Sequence, residues 1–169
     1  KEDKTLPSFI NARSETITEK PSFRTPFRYK RCLLPADGFF EWKKEDGEKT
    51  PYFISLKNKS PFFFAGIWDQ WVSTQGTEIQ TCAILTTKTR GPITEIHERM
   101  PIIFSDAKYK EWINPQINTP KKVQEILETR TENSFDISKV SKHVNNPRNN
   151  GVECITPILN EEDSSMRRG

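Results

Sequence analysis

A single α+β domain, built round a mixed or antiparallel sheet with flanking helices, is predicted by three features of this sequence. Its 169 residues are the usual size of one domain and can bury a substantial core. Strand-like stretches crowd between Arg31 and Thr87, and the clearest helical periodicity comes only after them. Twelve prolines against seven glycines favour many bends over a bundle of long helices. Hydrophobic residues make up only 33%, but four Trp and eleven Phe concentrate apolar area in a few large side chains.

Taken in order, residues 9–13 read as a short strand. Ser14 offers an N-cap to a helix of one or two turns over 14–20, with Pro21 ending it. Residues 31–34, 38–43 and 52–56 are strand-like, and Glu45-Asp46-Gly47-Glu48 supplies hairpin chemistry between the last two. The run from Pro61 to Trp68 predicts a central strand buried on both faces. Gly76 marks a turn, 78–87 continues the sheet, and 99–104 is a further strand. Ser105 is placed to cap a helix over 106–113. Thr119 followed by Pro120 opens another that runs to Glu128, with Val123, Ile126 and Leu127 on one apolar face. Residues 140–144 and 152–155 are expected to close the sheet as strands joined by a polar loop. The domain is expected to span 1–159, with 160–169 a disordered tail.

Charge and cysteine usage narrow the function classes. The net charge is only +3, but Lys20, Arg24, Arg28, Lys30 and Arg31 lie close together with no acid among them. Such a patch attracts phosphates even on a nearly neutral protein. Phe23, Phe27 and Tyr29 interleave with these cations, which suits a single strand whose bases stack beside its phosphates; a solvated loop with aromatic anchors in the core would look the same. Cys32, Cys82 and Cys154 are far apart, no CxxC pair occurs and there are only two histidines, so neither a structural metal nor a cofactor is expected. Cys32 and Cys82 lie in apolar strand patterns and are expected to be buried and inert, and Cys154 has no basic neighbour to activate it. The odd, scattered cysteines suit a reducing, cytoplasmic setting. The longest apolar stretch falls far short of the roughly 20 residues that span a bilayer, so no membrane partner is expected.

Three segments could carry chemistry. In Asn11-Ala12-Arg13-Ser14-Glu15-Thr16, an amide and a guanidinium two residues apart on a strand share a face and suit a phosphate or sugar oxygen. The alternative is a turn-closing Asn and an Arg paired with Glu15. In Ala36-Asp37-Gly38-Phe39-Phe40-Glu41-Trp42-Lys43, strand alternation puts Phe39, Glu41 and Lys43 on one side and Phe40 and Trp42 on the other. A carboxylate among aromatics suits general acid/base work, because desolvation raises its pKa; otherwise Glu41 is a surface partner of Lys43. In Ile96-His97-Glu98-Arg99-Met100-Pro101, His97 could move protons near neutral pH or hold a phosphate. Pro101 stands where a zincin motif would need its second histidine.

The order of these blocks resembles the SRAP family, the SOS-response-associated peptidase-like proteins. Phe64-Ala65-Gly66-Ile67-Trp68, Thr81-Cys82-Ala83-Ile84-Leu85-Thr86-Thr87 and Asn145-Asn146-Pro147-Arg148-Asn149-Asn150-Gly151 belong to the same resemblance, which runs from about Pro7 to Ile158. It implies a curved mixed sheet and a protein that processes abasic sites in single-stranded DNA, including sites at 3′ junctions with duplex. In such proteins an N-terminal cysteine, freed by removal of the initiator Met, captures the ring-opened sugar as a thiazolidine. At the matching positions Asn11, Glu41 and His97 are implied to serve catalysis, and Arg13, Arg24, Arg28, Trp42 and Arg99 to contact DNA. The setting would be nucleoid-associated cytoplasm, or the nucleus in a eukaryote. These residues begin at Lys1, ahead of which a family member already has its Cys-Gly-Arg start and an intervening segment ending near a Trp-Gly pair, so roughly the first quarter to third of the family domain is expected to be missing. Two other functions compete: a non-catalytic binder of single strands, and a peptidase limited to its own initiator Met.

Overall fold

The computed structural model describes residues 9–45, 47–73, 75–104, 107–128 and 134–158. In chain order the strands begin with β1 (Asn11–Arg13), β2 (Arg31–Ala36), β3 (Phe39–Glu45) and β4 (Glu48–Leu56). They continue with β5 (Phe62–Val72), β6 (Glu78–Lys88), β7 (Arg99–Pro101), β8 (Ile103–Phe104) and β9 (Phe135–Lys139). The helices are α1 (Pro21–Tyr29), α2 (Lys108–Trp112) and α3 (Pro120–Glu128). The α+β class is as the sequence implies. The chain divides into two compact units, 1–36 with 61–88 and 99–133, and 37–60 with 89–98 and 134–169, each with its own sheet.

The first unit holds a mixed sheet in the order β1-β6-β5-β2, with β7 beside β6 and β8 beside β5. Among the described strands only β1 runs parallel to its neighbour, with Asn11 opposite Ile84 and Arg13 opposite Thr86. β5 lies inside the sheet, and its residues from Phe62 to Ile67 are buried apart from half-exposed Phe63, close to the expected central strand. The core cluster joins Ala12, Ala65, Ile67 and Leu85 from the sheet to Phe23, Phe27, Trp112, Val123, Ile126 and Leu127 from the helices. Val123, Ile126 and Leu127 are the apolar face expected of α3, whose first residue is Pro120.

Pro21 does not end a helix; it begins one. The segment 14–16 is a short 3-10 turn, and α1 starts at Pro21, where the missing N–H costs nothing and the fixed φ suits the first turn. Phe23 and Phe27, four residues apart, then fall on one buried face, while Tyr29 stays 56% exposed. Two of the three aromatics in the basic segment are therefore core anchors. Arg31 is also structural. Its half-buried guanidinium donates to the carbonyls of Phe27, Arg28, Trp112, Asn114 and Ile117. These carbonyls lie at and just beyond the C-terminal ends of α1 and α2, where helix carbonyls lack partners.

The second unit is an antiparallel sheet in the order β3-β4-β9. Gly38 precedes β3 because a Cβ there would lie 2.2 Å from the Phe53 ring and 2.9 Å from the Ile54 carbonyl oxygen. The closing strand is β9, not 140–144 or 152–155. Of those segments only Val140 makes a bridge, to Pro157, while Lys142–Asn145 and Val152–Cys154 are 3-10 turns. The Ser141 hydroxyl accepts the His143 N–H and so favours a turn over a ladder. The expected strand over 99–104 is also split: the main chain of Ile102 bonds Leu85 and Ala65 between β7 and β8. The Ser105 cap and the tail beyond 158 lie outside the described residues.

Candidate functional site

In the second unit, β3 is an edge strand, and its alternation directs Glu41 and Trp42 to opposite faces. Lys43 takes Glu45 as its partner at 2.8 Å, so Glu41 is not a surface mate of Lys43. Glu41 faces His97 instead: its Oε2 lies 3.9 Å from the imidazole Nδ1. The Glu41 side chain is 20% exposed and that of His97 44%. Burial pushes the Glu41 carboxyl above its ordinary value, against the opposing pull of His97 and the Trp42 main-chain N–H.

His97 is placed by a short 3-10 turn, Gly91–Glu95. Gly91 takes a φ of +61°, which an L side chain resists, and Pro92 follows it. Ile93 plugs the turn into the core with no exposure, and its carbonyl accepts the His97 N–H at 3.1 Å. The imidazole therefore hangs from a fixed backbone, as a proton-transfer group requires.

On the other face, the Trp42 indole donates from Nε1 to Asn145 Oδ1 at 2.8 Å. Asn145 opens the polar loop, which is internally braced: Asn146 Oδ1 accepts the Arg148 N–H, and Asn149 donates to the His143 carbonyl. Sequence reasoning gives Asn145 no role. The clue is the loop's run of amides, any of which could serve an indole donor, but the pairing spans 103 residues.

In the first unit, Asn11 and Arg13 are exposed on either side of buried Ala12, so the two share the face expected of them. Arg13 is not the partner of Glu15. That carboxylate accepts Arg99 Nη2 at 2.9 Å, and Arg99 further donates to the Thr86 carbonyl at 2.8 Å and to Thr86 Oγ1 at 3.2 Å. Burial opposes ionisation of Glu15, but hydrogen bonds from Arg99 and from main-chain N–H groups outweigh it and hold the carboxyl below its ordinary value. Arg24 and Arg28 sit four apart on α1. Each spends its Nε on a carbonyl, of Thr18 and Asn118 respectively, and the Arg28 guanidinium lies 4.8 Å from the Tyr29 ring centre.

Among the described residues no group of three or more His, Cys, Asp or Glu could hold a metal ion. No described helix is long and apolar enough to cross a membrane. The Cys32 thiol is pushed up to about 11 by burial and then by Cys82, which makes it a poor nucleophile at neutral pH. Cys154 is buried, but the expected burial of both strand cysteines does not hold: Cys32 is only half-buried, and Cys82 is exposed because β6 is exposed from Glu78 to Cys82.

The chain is similar to known proteins along most of its length. A family model described as SOS response associated peptidase (SRAP) matches residues 1–147. Abasic site processing protein YoqW of Bacillus subtilis is 43% identical over 156 residues, 92% of this chain and 70% of that protein. Abasic site processing protein YedK of Escherichia coli is 34% identical over 154 residues, covering 90% of this chain and 68% of that one. Abasic site processing protein HMCES of Rattus norvegicus is 31% identical, and the match spans 87% of this chain but only 49% of the rat protein. A crystal structure of a protein from Bacteroides thetaiotaomicron superposes with a TM-score of 0.78 at 34% identity, over 88% of this chain and 66% of that one.

Proposed function

Since this chain belongs to the SOS response associated peptidase family, we propose that it processes abasic sites in DNA by binding a single strand and opening the lesion sugar for covalent capture. The observation that carries the reading is the approach of Glu41 to His97, a part-buried carboxyl beside an imidazole on a fixed turn. The relatives named as abasic site processing proteins support the substrate.

The chemistry explains the need for such a pair. An abasic sugar is mostly a closed hemiacetal. To open it, a proton must leave the C1′ hydroxyl and another must reach the ring oxygen as the C1′–O4′ bond breaks, giving the aldehyde. Glu41, its pKa raised, supplies and recovers a proton. His97 steadies the lesion through its 3′ phosphate and shares the proton traffic. The aldehyde then condenses with a primary amine, releasing water, and a thiol adds to the imine carbon to close a thiazolidine.

The amine and thiol belong to an N-terminal cysteine of the family type. Cys32, with its thiol raised by burial, does not replace it. The same cysteine provides the self-removal of the initiator Met. Asn11 orients that cysteine and the sugar. Arg13, Arg24, Arg28 and Arg99 hold phosphates, and Trp42, fixed by Asn145, walls the site.

The test uses the protein from its full gene with a single strand bearing one abasic site. Glu41→Gln should slow the heat-stable adduct by about two orders of magnitude, the usual reach of one acid/base group, with little change in affinity for undamaged strands. Adduct formed at the normal rate would remove Glu41 from the mechanism.

A further inference from the structure

We infer that Glu15 is a positioning residue for DNA recognition: its carboxylate holds the Arg99 guanidinium in place. This rests on the proposed function, in which Arg13 and Arg99 contact phosphates. Four interactions converge on the one carboxylate. Oε2 accepts Arg99 Nη2 at 2.9 Å, and Oε1 accepts the Lys88 N–H at 3.2 Å and the Thr87 hydroxyl at 3.4 Å. The fourth is the side chain's own main chain, which hydrogen-bonds back to it. Thr86 completes the clamp from the sheet, since its carbonyl and hydroxyl both accept from Arg99 and it lies opposite Arg13 in the β1–β6 pair.

The placement is costly for a protein that binds a polyanion. A carboxylate beside two phosphate-binding cations repels the ligand and partly neutralises the local field. It is worth keeping only if fixing the guanidinium gains more than the charge loses. Arg99 is a long side chain with several rotatable bonds, and ordering it on binding would cost affinity. Clamped by Glu15 and Thr86, it is ordered beforehand, with its side chain only 16% exposed.

The two effects of Glu15 have opposite signs, so one measurement separates them. If Glu15 were a bystander charge, Glu15→Gln would tighten DNA binding. As a positioning residue it should weaken binding by about tenfold, the order of one charge-assisted hydrogen bond. The probe is a single strand carrying one tetrahydrofuran abasic analogue, which cannot open to an aldehyde and so reports binding alone. In the full-length protein, Glu15→Gln should weaken binding, Arg99→Ala should weaken it, and the double variant should be no weaker than Arg99→Ala. Glu15→Asp keeps the charge and shortens the reach, so a loss there cannot come from electrostatics; it also carries the comparison if Glu15→Gln does not fold. Unchanged or tighter binding by Glu15→Gln or Glu15→Asp, or losses that multiply in the double variant, would overturn the inference while leaving Arg99 as a phosphate ligand. Normal affinity of Arg99→Ala would overturn that role and the inference with it.

Discussion

A carboxyl whose pKa is raised by burial is less stable in the fold when ionised, and Glu41 shows what such a residue costs its protein. The sign follows from linkage. In the folded chain Glu41 holds its proton to a higher pH than in the unfolded chain, so its protonated form favours the fold. That contribution is fully present below the ordinary value of 4.5 and is lost as pH rises through the raised value. At neutral pH the ionised group is a burden. Glu41→Gln should therefore raise the melting temperature at pH 7, with the gain fading as pH falls to about 4 and below; a variant that melts lower at pH 7 would contradict the burial argument. Both members of the pair are legible as residue types, Glu41 from the aromatics around it and His97 from the suitability of an imidazole for proton transfer. Their meeting is not legible, because a long intervening stretch of chain sets it. The partner of Glu15 is hidden for the same reason: Arg13 is its neighbour in sequence, but the β6–β7 pairing brings Arg99.

Among the elements, α1 presents two different faces. Phe23 and Phe27 anchor it, while Arg24 and Arg28 remain outside the core cluster. Arg24→Ala with Arg28→Ala should weaken single-strand binding and reduce the slope of log affinity against log salt by about 1.4, roughly 0.7 for each phosphate no longer neutralised; an unchanged slope would leave them as surface charges. Arg31, beside them in sequence, predicts differently. Because its guanidinium serves carbonyls at two helix ends, Arg31→Lys should cost stability, about 2–3 kcal/mol by denaturant titration, with no change in the salt slope. The sequence shows a uniform basic stretch, and only the tertiary partners separate its cations. Helix α1 itself escapes a reading that treats proline as a stop, because at the first helical position proline is a start. Strand β9 escapes because its apolar residues, Phe135 and Ile137, are few and alternate with Asp136 and Ser138, while valines farther along draw the strand pattern to segments that turn.

For the molecule as a whole, composition and strand density are enough to indicate the α+β class, since they report how much apolar area each segment can bury. The division into two sheets is not legible. Sheet membership depends on long-range pairing, and the chain leaves the first unit after Ala36 and returns to it at Pro61. The proposed roles are spread over both units, with Asn11 and the cations Arg13, Arg24, Arg28 and Arg99 in one and Glu41, His97 and Trp42 in the other. The proposal that the chain opens abasic sugars for capture by a family-type N-terminal cysteine is tested most directly by locating the bond. The protein from its full gene, incubated with an abasic single strand, digested and analysed by mass spectrometry, should carry the sugar remnant on an N-terminal cysteine, with Cys32, Cys82, Cys154 and every lysine unmodified. A remnant on any residue of 1–169, or no adduct at all, would contradict the account.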